Sequence, residues 1–206
     1  MSKSKLILAS GSPRRKALLE SMGLDCVVQP ADIDESRLPD ESPKQYVYRM
    51  AESKAQFIYQ NSIKLAENSK PAKIIAVIAA DTIVCQKDVI FGKPSDRDHA
   101  FSIWRQLSDG KHQVLTGVCL INSDQDQVSQ SQITICETDV LFNKITEDQM
   151  QRYWATGEPQ DKAGGYAIQG FASAWVKQIS GSYSNVVGLP LYEVNTMLKT
   201  VNLNWL

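Results

Sequence analysis

Residues 74–80 constrain the fold more than any other segment, because all seven are apolar and most of them are β-branched. An uninterrupted run of this kind is typical of a β-strand that is covered on both faces. Amphipathic segments with helical spacing alternate with the shorter β-rich segments, and they can supply both covering layers. We therefore predict an α/β protein, with a mixed sheet because two long β-rich stretches follow one another directly.

Periodicity, caps and turn residues place the individual elements. Strands are predicted at 5–9, 26–29, 74–80, 82–85 paired with 89–90, 113–121, 128–142 and 174–179, with a polar turn at 122–127. Helices are predicted at 13–23, 42–61, 95–107, 146–156 and 191–200. Capping boxes are expected at Ser42 and Thr146, and a helix start at Ser95.

Charge and hydropathy exclude several classes of partner. The 22 Lys+Arg against 23 Asp+Glu give a formal net charge of -1, which does not favour a nucleic-acid or membrane-surface partner. The longest apolar run is far short of the ~20 residues that span a bilayer, and the one near the N-terminus is too short for a signal peptide. We therefore predict a cytoplasmic protein without nucleic-acid or membrane partners.

The cysteines and histidines do not form a metal-binding pattern. Four cysteines are scattered without a C-x-x-C pair, and the chain has only two histidines, so the spacing of a zinc site is absent. We predict reduced and mostly buried thiols at all four positions: Cys26, Cys85, Cys119 and Cys136.

The segment SGSPRR at residues 10–15 is a candidate anion site. Ser12 and Pro13 suit a helix start, and Arg14 and Arg15 fall in its first turn, where the helix dipole disfavours positive charge. A bound phosphate would remove that conflict, because free N–H groups and guanidinium groups both bind phosphate oxygens. The alternative is that Ser12 and Pro13 only cap the helix while the arginines are solvated.

Asp81 is the candidate catalytic carboxylate. It follows the buried run and is expected at the end of that strand, where open α/β sheets bind their ligands. Glu35, in an acidic loop, is a candidate second carboxylate. The alternatives are a structural Asp81 that accepts backbone hydrogen bonds and an acidic loop that is simply solvated.

Three lysines and one glutamine complete the candidates. Lys54 falls on the predicted second helix, Lys93 in a Gly-Lys-Pro turn, and Lys162 before a glycine pair. Gln169 is flanked by apolar residues, so its amide could either read a nucleobase edge or bridge backbone groups. No Walker A motif and no G-x-S-x-G motif is present, which argues against kinase and serine-hydrolase activities.

Five segments in order resemble the Maf family of nucleoside triphosphate pyrophosphatases: LASGSPRR at 8–15, ADT at 80–82, GKP at 92–94, DKAGGYAIQG at 161–170 and GSYSNVVGLP at 181–190. The resemblance covers nearly the whole chain and implies one domain over residues 1–206. It implies an α/β fold with flanking helices and two lobes around a central cleft, similar to inosine triphosphatases. It also implies a hydrolase acting on acid anhydrides that needs a divalent metal cation, Mg²⁺ or Mn²⁺, and that often forms homodimers.

The resemblance also implies roles for single residues. Asp81 corresponds to the proton acceptor, and Glu35 with Asp81 to the metal-side carboxylates. Arg14, Thr82 and Gln169 fall at specificity positions, where they resemble the branch that acts on dTTP and UTP. The phosphate-side groups are Ser10, Arg14, Arg15, Lys54 and Lys93. The sequence FASA at 171–174 departs from the glycine-rich segment of many relatives.

The implied function is removal of dTTP, UTP or modified pyrimidine nucleotides from the nucleotide pool, with the monophosphate and pyrophosphate as products. A non-catalytic nucleotide-binding regulator of cell division is the alternative, and a general phosphatase that releases orthophosphate is a third. A buried carboxylate facing a polyphosphate favours the enzyme, because a binding module gains nothing from it unless a metal is used.

Overall fold

A computed structural model describes residues 5–66, 75–123 and 129–201, and within these ranges seven strands form one sheet. The strands are β1 Lys5–Leu8, β2 Val27–Val28, β3 Ile75–Gln86, β4 Val89–Phe91, β5 Lys111–Ser123, β6 Ser129–Phe142 and β7 Val176–Ser180. The α-helices are α1 Pro13–Ser21, α2 Pro43–Ala66, α3 Arg97–Leu107, α4 Glu147–Ala155, α5 Tyr183–Val187 and α6 Leu191–Thr200. Short 3₁₀ segments lie at Glu158–Asp161, Ala163–Gly165 and Phe171–Trp175.

The sheet is mixed, as predicted. Its order is β2-β1-β3-β5-β6-β7, and β4 forms a hairpin with β3. β1 is parallel to both β2 and β3, whereas the pairs from β3 through β5 and β6 to β7 are antiparallel. The α/β class with a mixed sheet and flanking helices is therefore confirmed.

Asp81 lies in the middle of β3, so the prediction that it ends a strand is wrong. β3 continues because its antiparallel pairing with β5 extends to Cys85, which pairs with Gln113. The parallel partner β1 stops much earlier, with its last residue opposite Ile78. Asp81 thus lies beyond the carboxyl end of β1. A ligand can reach Asp81 because the neighbouring strand β1 has already ended there.

The apolar core is divided along the long strands. Around β1, side chains from α1 and α6 cover one face of the sheet and side chains from α2 cover the other. Further along the strands, another apolar cluster includes Val84 of β3, Val114 of β5 and the fully buried Trp104 of α3. Between the clusters the strands carry the polar residues Asp81 and Thr116, both buried. The sheet therefore has a polar band in its middle.

Most helix ends follow the predicted signals. Ser42 with Gln45 and Thr146 with Gln149 form the two expected capping boxes. The cap of α3 is Asp96, which accepts from the backbone N–H of His99, so the prediction of Ser95 is wrong by one residue. α2 extends to Ala66, beyond the predicted end at 61, and α5 was not predicted.

Some predictions reach outside the described residues. Ile74 and Val128, the predicted first residues of two strands, lie there, as does most of the predicted turn at 122–127. Asn122 and Ser123, which were predicted to lie in that turn, belong to β5. All four cysteines are free thiols, as expected, although Cys26 is only half-buried. None of the described helices has the length and apolar composition needed to cross a membrane.

α2 packs against the sheet at an unusually close backbone contact. A Cβ placed on Gly117 of β5 would lie 2.3 Å from the carbonyl oxygen of Val47, which is closer than real Cβ atoms approach any backbone atom. Gly117 therefore lets α2 lie directly on the strand pair β3 and β5. Gly117 is also the residue that pairs with Asp81.

We expect Gly117→Ala to lower the free energy of unfolding by ~1–3 kcal/mol or more, because overpacking against rigid backbone has this cost. Urea unfolding followed by circular dichroism measures this change. Gly92→Ala is the matched control, since an added Cβ there meets nothing within 4 Å. Equal unfolding midpoints for the two variants would show that the contact between α2 and β5 can relax.

Candidate active site

A lysine ammonium group bridges two carboxylates at the middle of the sheet. Lys54 Nζ lies 2.6 Å from Asp81 Oδ1 and 2.7 Å from Glu35 Oε1. Lys54 and Asp81 are each only 8% exposed, whereas about half of the Glu35 side chain is exposed. The cluster holds one positive and two negative charges, so it keeps a net negative charge on the side that solvent can reach.

The close packing of α2 explains how Lys54 reaches Asp81. Val47 and Lys54 are seven residues apart, which places them on the same face of the helix after two turns. Val47 contacts Gly117, and Asp81 is the neighbour of Gly117 across the β3–β5 pair. The same helix face that touches the sheet backbone therefore carries the ammonium group to the carboxylate.

The acidic loop that carries Glu35 is attached to α2. The hydroxyl of Tyr46 donates to the Glu35 carbonyl at 2.9 Å, and Arg49 Nη2 donates to the Ser36 carbonyl at 2.9 Å. Arg49 also binds both carboxylate oxygens of Glu41, which is 7% exposed. The hydrogen bond from Arg49 lowers the pKa of Glu41. The view that this loop is only solvated therefore fails for Glu41, and it fails for Glu35 because of the ion pair with Lys54.

Arg15 connects three parts of the chain on the other face of the sheet. Its Nε donates to the Gly188 carbonyl at 2.8 Å, Nη1 to Ser10 Oγ at 3.0 Å and Nη2 to Thr82 Oγ1 at 3.0 Å. Burial lowers the pKa of the guanidinium, and the nearby charge of Asp81 opposes that change. Arg15 is thus held by protein groups, which distinguishes it from the solvated arginine of the simpler interpretation.

Thr82 and Asp81 serve different faces, because successive residues of a strand alternate. The Thr82 hydroxyl lies 2.9 Å from the hydroxyl of Thr116 and accepts from Arg15. Asn185 of α5, fully buried, donates to the Val114 carbonyl and to Thr138 Oγ1, each at 3.0 Å. Asn185 fixes α5, whose C-terminal Gly188 binds Arg15.

Sequence reasoning assigned no role to Thr116 or Asn185. A threonine inside a strand has no special pattern, and Asn185 stood only as one residue of the segment GSYSNVVGLP. The left-handed φ of 124° at Gly188 is the one feature that the Gly-Leu-Pro sequence could have indicated.

Arg14 and Gln169 line the same surface groove. The groove has a volume of about 400 Å³, and Pro13, Ala17 and Leu18 of α1 also line it. Among the described residues, no hydrogen bond or ion pair occupies the Arg14 guanidinium. The first turn of α1 contains no acidic residue, and the Ser12 side chain makes no capping hydrogen bond. The alternative that Ser12 only caps this helix therefore loses its main support.

The lysines of the predicted set separate in the structure. Lys54 belongs to the carboxylate cluster. Lys93 is exposed in the turn after β4, and no hydrogen bond within the described residues ties it to Asp81. Lys162 donates to the Glu158 carbonyl at 2.6 Å and also pairs with Asp161, so its ammonium has a local structural role.

Comparison with known proteins gives a consistent match. The sequence model of a family described as Maf-like protein matches residues 5–201. A dTTP/UTP pyrophosphatase of Pseudoalteromonas atlantica is 46% identical over 198 residues, which cover 96% of this chain and 97% of that protein. A protein of the same name from Caldicellulosiruptor bescii is 43% identical over 195 residues, covering 95% of this chain and 94% of its own. A third protein of that name, from Hahella chejuensis, is 42% identical over 195 residues, which cover 95% of this chain and 91% of that protein.

The two adjacent arginines should respond differently to truncation. We expect Arg14→Ala to weaken binding of inorganic triphosphate by at least about tenfold, because a charge-assisted contact contributes ~1.5–3 kcal/mol, while stability changes by less than ~0.5 kcal/mol. Arg15→Ala should lower the free energy of unfolding by about 2 kcal/mol or more, since it removes three charge-assisted hydrogen bonds that join distant parts of the chain. Calorimetric titration and urea unfolding measure the two effects. Unchanged triphosphate affinity in Arg14→Ala would contradict an anion site at this groove.

Proposed function

The chain belongs to the Maf-like protein family, and from this membership we propose that it hydrolyses dTTP and UTP to the nucleoside monophosphate and pyrophosphate. The observation that carries the proposal is the buried Lys54–Asp81 pair with Glu35 at its open side. A reaction of this kind needs a proton acceptor for the attacking water and positive charge for the leaving pyrophosphate. The enzyme belongs to the hydrolases that act on acid anhydrides, as a nucleoside triphosphate diphosphatase.

Asp81 is the proposed proton acceptor. Lys54 binds its Oδ1, and within the described residues no group donates to its Oδ2. The free oxygen can therefore take the proton from a water molecule that attacks the α-phosphorus. Lys54 orients the carboxylate during this step, because its ammonium is itself held between Asp81 and Glu35.

The donor set of the cluster fits a divalent metal cation. Asp81 and Glu35 already share one cation, the Lys54 ammonium, and carboxylate oxygens are the ligands that Mg²⁺ and Mn²⁺ prefer. In the described part of the chain no third acidic, histidine or cysteine side chain joins them. Magnesium is commonly bound by one or two carboxylates with waters and substrate phosphates, and Asp81 and Glu35 would hold it in that way. When bound, the cation supplies charge neutralisation for the triphosphate.

The phosphate side combines backbone and cationic groups. The uncapped start of α1 and the Arg14 guanidinium offer donors next to the groove, and we assign the exposed Lys93 to the same phosphate-side set. Ser10 accepts from Arg15 and from the backbone N–H of Ser12, so Arg15 shapes this loop. We assign Arg15 a positioning role within the phosphate-side set.

Base choice is assigned to Gln169, Arg14 and Thr82. A uracil edge has two carbonyl acceptors around one N–H donor, and an amide can both donate to and accept from it. Gln169 and Arg14 line one groove, and this supports a role for both residues at the base end of the nucleotide. Thr82 acts through Arg15, because its hydroxyl is bound to that guanidinium. Removal of free pyrimidine nucleotides from the pool implies a cytoplasmic location for the enzyme.

We expect Asp81→Asn to keep the fold and lower kcat by about 10²–10⁴-fold, because loss of a general base has this effect. The assay is chromatography of a nucleotide panel with Mg²⁺ or Mn²⁺, which separates monophosphate, pyrophosphate and orthophosphate. Asp139→Asn is a matched control, since that carboxylate is also on the sheet but pairs with Lys111. Orthophosphate as the first product indicates a general phosphatase, and binding without turnover indicates a regulator.

Gln169→Glu should reduce the preference for UTP over CTP, which we expect to be at least about tenfold in the wild type, because a carboxylate cannot donate to a uracil carbonyl. The measurement is kcat/KM for both nucleotides. Gln160→Glu makes the same charge change at an exposed residue nearby and should leave the ratio unchanged. A full preference for UTP in Gln169→Glu would show that Gln169 does not read the base.

A further inference from the structure

A phenol and a carboxylate hold both ends of the loop that carries Gln169. The hydroxyl of Tyr153, at the end of α4, donates to Glu158 Oε1 at 2.7 Å and accepts from the backbone N–H of Ala167 at 3.1 Å. The second oxygen, Glu158 Oε2, accepts from the backbone N–H of Phe171 at 3.3 Å. The two anchored amides lie two residues before and two residues after Gln169.

The phenol is rigidly placed. Tyr153 is 4% exposed, and its ring packs at 5.3 Å from Trp104 and 4.8 Å from Trp175, measured between ring centroids. Burial raises its pKa, and the hydrogen bond to Glu158 adds to this effect. The hydroxyl thus stays protonated and donates to Glu158. Its position is fixed by the aromatic core around α3 and α4.

Gly170 lets the carboxylate reach the loop. A Cβ at Gly170 would lie 2.1 Å from Glu158 Oε2 and 2.3 Å from its Cδ, so any side chain there would displace Glu158. The backbone N–H of Gly170 donates to the Ala167 carbonyl at 3.1 Å, which closes the turn from inside. The loop 167–171 is therefore held from inside by its own turn and from outside by Glu158 and Tyr153.

We propose that Tyr153 and Glu158 are positioning residues that set base discrimination by holding the loop 167–171, and with it Gln169, against the groove. Gln169 itself is exposed and, within the described residues, has no hydrogen bond of its own to fix it. The place of its amide depends on the backbone on either side. This inference rests on the proposed function, since it assigns Gln169 to reading the base.

The test compares kcat/KM for UTP and CTP in Tyr153→Phe and Glu158→Gln. Both variants keep the approximate size of the side chain. Tyr153→Phe removes the acceptor of the Ala167 N–H, and Glu158→Gln replaces one of two acceptor oxygens with a donor, so it either loses the bond from Phe171 or reverses the bond from Tyr153. We expect the ratio of kcat/KM for UTP to kcat/KM for CTP to fall about three- to tenfold. The value for UTP should decrease and the value for CTP should stay within about twofold of wild type, because only the matched base depends on a correctly positioned Gln169 amide. If the two residues had a purely structural role, kcat/KM would fall equally for both nucleotides.

Tyr166→Phe is the matched control. Tyr166 is also buried in this aromatic core, but its hydroxyl lies 2.8 Å from His112 Nε2 and contacts no loop amide. It should leave the UTP:CTP ratio unchanged. A ratio within twofold of wild type in both test variants, or an equal fall in Tyr166→Phe, would overturn the proposal.

Hydrogen exchange of a peptide covering 166–172 gives a readout that is independent of turnover. Exchange should be faster in Tyr153→Phe and Glu158→Gln than in wild type and Tyr166→Phe, and unchanged exchange would count against the proposal. If Tyr153→Phe does not fold, Glu158→Gln decides alone. If the wild-type enzyme does not prefer UTP over CTP, both the proposed substrate and this inference are wrong. If the wild type prefers UTP and the two variants keep the same UTP:CTP ratio, only this inference is wrong.

Discussion

The buried ion pair between Lys54 and Asp81 is the interaction on which the rest of the site depends. Removing two charges from water costs several kcal/mol for each ion unless close partners compensate. Here the pair is joined by Glu35, which is half-exposed, so the cluster opens to solvent on one side only. The sheet accommodates this cluster because its apolar core is split, and the polar band falls between the two parts.

The long strand β3 joins the two chemical halves of the site through the alternation of its side chains. Asp81 faces α2 and the carboxylate cluster, whereas Thr82 faces Arg15 and Gly188. A shift of the pairing by one residue would exchange the two faces completely. The register between β3 and β5 is therefore a condition of function, and Gly117, which admits α2 at the same point, helps to fix it.

Sequence reasoning was strongest where local chemistry decides. The capping boxes at Ser42 and Thr146, the β3–β4 hairpin and the mixed sheet follow from short-range signals, and all are present. It failed where distant residues decide. The continuation of β3 past Asp81 depends on pairing with β5, and the bridge from Lys54 to Glu35 depends on how α2 packs. Neither is encoded within a few residues of the position concerned.

The position of Lys54 explains how one site can tolerate both carboxylates and a triphosphate. Two adjacent carboxylates without a cation would repel each other and the incoming phosphates, and Lys54 prevents this before any ligand arrives. On the opposite face Arg15 is already bound to protein acceptors, which leaves Arg14 as the guanidinium free among the described residues to meet an anion. Of two identical neighbouring side chains, one therefore builds the loop and the other faces the ligand. Sequence alone could not separate them, because the difference depends on the carbonyl of Gly188, which lies 173 positions further along the chain than Arg15.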